Sequence, residues 1–89
     1  MCTYIAEKVA VNGSGKGREG WFTLEQANVS YDHPFVAPYE HTLNIDFVNT
    51  AKGPNERIAV ELSTEAARAL VDTILGVLEK AEAGNHIVD

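Results

Sequence analysis

Two histidines, His33 and His41, are the residues of this 89-residue chain best placed by type and spacing to do chemistry. They flank residues 34–40, a connection holding Pro34 and Pro38, which fix φ and give no N–H to a strand ladder. If the flanking segments are strands of one hairpin, the imidazoles lie opposite each other with Cβ atoms about 4.5–5.5 Å apart. Joined by the carboxylate of Glu40, His33 and His41 would then suit zinc or another divalent transition metal. Without a metal, either histidine could serve as a general base while Tyr31 donates to a developing oxyanion. A histidine at a strand end also serves by bonding a backbone carbonyl, and residue types alone leave these roles open.

Other constellations carry less. Gly13-Ser14-Gly15-Lys16-Gly17 looks like a phosphate loop but has Ala10 and Gly17 where that motif needs Gly and Ser or Thr. No helix follows it to aim a dipole at phosphate. It reads instead as a glycine-rich loop over residues 12–20, whose Lys16 and Arg18 could close over an anionic ligand. Trp21 and Phe22 beside it would line a pocket or fill a core. Cys2 is the single cysteine: a small apolar residue at a strand start, or, with Met1 removed, an amine–thiol pair able to bind metal or attack an electrophile. A serine elbow, CxxC, HExxH and GxGxxG before a helix are all missing.

The elements that must hold the histidines are legible in the periodicities. Residues 3–11 read as a strand, with Ile5, Val9 and Val11 on one parity and Glu7 interrupting it. Residues 21–33 form a second, whose apolar parity switches between Leu24 and Ala27; a one-residue β-bulge near Glu25–Gln26 reconciles its halves and puts His33 on the parity of Ala27, Val29 and Tyr31. Residues 41–48 alternate cleanly, with His41, Leu43, Ile45 and Phe47 on one face. A turn holding Gly53-Pro54-Asn55 leads to a fourth strand, 57–62, with Ile58, Val60 and Leu62 inward. Ser63 caps a helix whose stripe runs through Ala67, Leu70, Val71, Ile74, Val77, Leu78 and Ala81 until Gly84-Asn85 ends it. On the opposite side Gly76 lines up with Ala69 and Ala83, which hints at a close helix approach in a dimer.

These elements predict one α+β domain over residues 1–89: a four-stranded antiparallel β-meander with one C-terminal helix packed across one face. The net charge is −6 and the seven basic residues are scattered, so nucleic acid and anionic membranes are not expected partners. One cysteine allows no internal disulfide, and no apolar stretch is long enough to span a membrane, which fits the cytoplasm.

The start Met-Cys-Thr-Tyr-Ile, the run Gly13-Ser14-Gly15-Lys16-Gly17 to Gly20-Trp21-Phe22, Tyr31-Asp32-His33-Pro34, Glu40-His41, Ile45-Asp46-Phe47 and Val60-Glu61-Leu62-Ser63 together resemble a family of small uncharacterised actinobacterial proteins. The resemblance implies a setting near specialised metabolism and supplies no catalytic residues. The expected function is a homodimeric small-molecule-binding protein, its ligand lined by Trp21, Tyr31, His33, His41, Lys16 and Arg18. The alternatives are an isomerase, cyclase or lyase using His33, His41 and Tyr31, with or without metal, and a protein-interaction module.

Overall fold

In a computed structural model of the chain, residues 5–51 and 56–84 are described. The readings of Cys2, of the Gly53-Pro54-Asn55 turn and of the tail from Asn85 lie outside them. Four strands form one antiparallel sheet in the order β1-β2-β3-β4, followed by one helix. The strands are β1 (Ile5–Gly17), β2 (Gly20–Asp32), β3 (Thr42–Val48) and β4 (Arg57–Leu62), and the helix is α1 (Thr64–Ala83). This is the α+β meander that the periodicities predict.

Register places the apolar parities in rows. Ile5, Tyr31, Leu43 and Leu62 pair across the sheet, then Glu7, Val29, Ile45 and Val60, then Val9, Ala27, Phe47 and Ile58. Because side chains alternate along a strand, these rows share one face. The other face carries Lys8, Asn28, Asp46 and Ala59 in one row and Ala6, Ser30, Asn44 and Glu61 in the next.

The glycine-rich segment is strand rather than loop. Gly13, Gly15 and Gly17 pair with Leu24, Phe22 and Gly20, leaving only Arg18 and Glu19 as the turn. Gly20 takes φ +119°, the left-handed region in which glycine is least strained. The register shifts between Ala10 and Gly13, so Val11 and Asn12 together face Glu25. The irregularity thus lies at the expected level, but the extra residue is on β1, not on β2. A bulge bends and twists its strand, and here the far half of the hairpin reaches Ile58 of the opposite edge strand: a Cβ on Gly15 would lie 2.6 Å from Ile58 Cδ1. Phe22 is buried there. Asn49, also buried, donates from Nδ2 to the Thr23 carbonyl at 2.9 Å and accepts the Ala51 N–H, tying the end of β3 to the bent hairpin.

The helix starts as expected. Ser63 Oγ accepts the Ala66 N–H at 3.1 Å, and Glu65 lies in the first turn. Its docking differs from expectation. Ala67 is the buried residue of α1, whereas Leu70, Val71, Ile74, Leu75, Val77 and Leu78 are all exposed. The stripe does not lie across the sheet of its own chain. Ser63 is the single residue between β4 and α1, too short a connection to turn a helix back over the face it leaves, since such links commonly need about 2–6 residues. A Cβ on Gly76 would meet nothing within 4 Å.

Candidate functional site

The mouth of the β2–β3 hairpin is built by the ladder itself. Its last pair is Asp32 with Thr42, and Thr42 is fully buried. Thr42 Oγ1 donates to Asn44 Oδ1 at 2.6 Å. One step beyond that pair, His33 and His41 face each other with ring centroids 4.6 Å apart and planes 27° from parallel. His41 stacks in turn on Tyr31 at 5.7 Å and 17°. The result is a column of three rings, Tyr31–His41–His33. Thr64 Oγ1 donates to the Tyr31 hydroxyl oxygen at 3.4 Å, so the helix start abuts the column.

Backbone and side chains fix the outer histidine. Its N–H donates to Asp32 Oδ1 at 2.7 Å, and its Nδ1 bonds the Glu40 carbonyl at 3.0 Å. A carbonyl only accepts, so that bond puts the proton of the neutral ring on Nδ1. Glu40 therefore meets His33 through its backbone, not through the carboxylate a metal would use. Among the described residues no group of three or more His, Cys, Asp or Glu is arranged to hold a metal ion.

Trp21, Lys16 and Arg18 stand apart from the column. Trp21 pairs with Lys16 at the far end of the hairpin, ten residues along β2 from Tyr31, which is roughly 30 Å of strand. It is 71% exposed. The six residues expected to line one ligand site thus divide into a column at one end and an exposed tip at the other.

Glu61 was not legible as a site residue. Its carboxylate accepts three successive backbone N–H groups of the histidine connection: Phe35, Val36 at 3.1 Å and Ala37 at 2.9 Å. Successive amides turned to one anion form a concave nest. The Phe35 N–H above all, then that of Ala37, hold the Glu61 carboxyl below its ordinary value of 4.5; burial opposes them, and the Val36 N–H lowers it by less than either. The clamp fixes the connection that carries both histidines, and leaves Phe35 and Val36 of that connection almost wholly exposed. A groove of about 190 Å³ runs beside it, lined in part by Asp32, His33, Asn44, Asp46, Arg57 and Glu61. Arg57 there pairs with Asp46 at 2.9 Å. Two wider grooves, of about 520 and 540 Å³, lie against Ala6, Lys8 and Asn28 and under Phe35–Ala37.

A depressed carboxyl value means that the ionised form is the one that holds the connection. Docking of residues 35–37 is expected to be complete above about pH 4.5 and to be lost as pH falls through the depressed value below it. Amide shifts of Phe35, Val36 and Ala37 should move together in an acid titration. In Glu61→Gln that coordinated step should vanish, and unchanged amide shifts in that variant would remove the clamp.

A model of a family of unknown function, DUF6295, matches residues 1–87. The chain belongs to that family. No curated protein and no solved structure matches this DUF6295 member. Among its described residues no helix is long and apolar enough to cross a membrane.

Proposed function

We propose that this DUF6295 chain binds a small, flat organic molecule against the Tyr31–His41–His33 column. The observation that supports this reading is the column itself, three rings held in near-parallel array at a hairpin mouth. Aromatic stacking contributes about 0.5–1.5 kcal/mol per pair beyond area burial, and a ligand ring placed against the column adds to it. The hydroxyls of Tyr31 and Thr64 and the Glu40 carbonyl border the rings and would select the ligand's polar edge. Small-molecule sites commonly have this form, an apolar or aromatic wall with a few fixed polar groups.

The test follows imidazole Hε1 resonances while 4-hydroxybenzoate, or neutral phenol, is added to about 10 mM, enough to report a millimolar Kd. Ring-current shifts at both His33 and His41 are expected, lost in His41→Ala and kept in Trp21→Ala. No shift with either probe, or equal shifts in His41→Ala, would overturn the reading.

A further inference from the structure

The chain leaves both halves of one core uncovered. On α1, Ala67, Ile74 and Ala81 repeat every seven residues, Leu70 and Val77 repeat between them, and Val71 and Leu78 widen the stripe. Five of these seven, Leu70, Val71, Ile74, Val77 and Leu78, are 42–61% exposed. Glu65, Asp72 and Glu79 lie on the opposite side of the helix. On the sheet, α1 makes limited contact with β3 and β4, with Thr64 against Tyr31 and Ala67 buried. Ile5 and Val9 are more than half exposed and Val60 is 37% exposed.

The surface area shows how large the deficit is. The chain exposes 7094 Å², whereas a compact monomer of 9.7 kDa exposes about 5,100 Å². Its radius of gyration is 15.0 Å, against about 12 Å for a compact domain of this length. The excess of about 2,000 Å², counted over all 89 residues and so not over the helix and sheet faces alone, exceeds the roughly 800 Å² that each partner gives up in a standard stable interface.

We infer that a second copy of the chain covers these surfaces reciprocally, the helix of each protomer lying across the apolar sheet face of the other. One two-fold operation buries both the stripe and the sheet, which is how an isologous interface uses one surface twice. The breadth of the stripe favours sheet over helix as its cover. A coiled-coil seam is narrow and confined to two positions of each heptad, whereas a stripe three positions wide is the form that faces a globular core. The single-residue link at Ser63 gives the geometric reason: it sends α1 off its own sheet and leaves that face for another helix. This dimer does not need the ligand proposed for the ring column, although Tyr31 of that column lies in an apolar row of the same sheet face.

Sedimentation equilibrium of the full chain at micromolar concentration should give the mass of two chains, and the melting temperature should rise with concentration. A monomer mass with a concentration-independent melting temperature would overturn the inference. The arrangement is read from mixed dimers. One chain, in a Cys2→Ser background, carries a spin label on Asp72→Cys at the outer side of the helix. The other is ¹⁵N-labelled and unmodified. Broadening of the Val29, Ile45 and Val60 amides in the ¹⁵N chain is expected. Broadening confined to α1 would mean that helix packs on helix, and would overturn the reciprocal arrangement even in a dimer.

Discussion

A chain carrying Phe22→Ala is expected to lose about 3–5 kcal/mol of stability, the usual cost of truncating a buried aromatic. An 89-residue domain has roughly 4–13 kcal/mol in total, so this one change should leave much of the population unfolded. Phe22 matters because the core is small: it, Ala27 and Ala67 are the buried apolar residues among those described. Its ring covers the glycine side of the hairpin, and a Cβ on Gly17 would lie 3.1 Å from Phe22 Cε1. Urea unfolding followed by far-ultraviolet dichroism measures the loss. Its neighbour Trp21, 71% exposed, supplies the contrast, since surface truncations usually stay within about 0.5 kcal/mol. A loss below about 1 kcal/mol in Phe22→Ala would mean that the bent half of the hairpin unfolds apart from the rest.

That contrast between adjacent aromatics was beyond the reach of sequence. The pair Trp21-Phe22 reads as pocket or core, and which ring turns inward depends on the bulge. The parity switch between Leu24 and Ala27 predicts a bulge near Glu25–Gln26 of β2, which the structure does not have. The extra residue sits instead on β1 at Val11–Asn12, so β2 alternates unbroken with Leu24 and Ala27 on opposite parities, and it is the bend of the hairpin that brings Leu24 and Phe22 inward. Where no such ambiguity existed, the elements were legible: β4 spans 57–62 and β3 begins one residue later than its alternation suggests. The Ser63 cap was legible for a local reason, since its hydroxyl bonds an amide three residues on.

The candidate site divides along the same line. That His33 and His41 face each other follows from local pairing across one short connection, and the rings do stack. The clamp by Glu61 joins residues about 25 apart, and no spacing rule selects one carboxylate of thirteen for three amides of a proline-flanked loop. Docking of the helix stripe is also long-range. Periodicity identifies a face that wants cover, not the chain that supplies it, and the one-residue link to β4 decides against the helix's own sheet.

Glycines give the second large effect, because two of them in one strand should respond in opposite directions. Gly15 is buried, and an added Cβ would stand 2.6 Å from Ile58 Cδ1 and 3.0 Å from Leu24 Cδ2. Val at this position overfills the space where the bent hairpin meets β4, and about 1–3 kcal/mol of destabilisation is expected. Ala should cost less, because the Ile58 terminal methyl can turn aside. Gly13, two residues earlier in the same strand, has nothing within 4 Å of its added Cβ. There Val replaces the most flexible residue by a β-branched one and should stabilise by up to about 1 kcal/mol. Thermal unfolding reads the difference, since about 1 kcal/mol moves the midpoint of a domain this size by roughly 4–8 °C. The two valine variants are therefore expected to melt on opposite sides of the wild type. If Gly15→Val melts at or above it, the hairpin does not close onto Ile58, and the glycines of this segment serve flexibility after all.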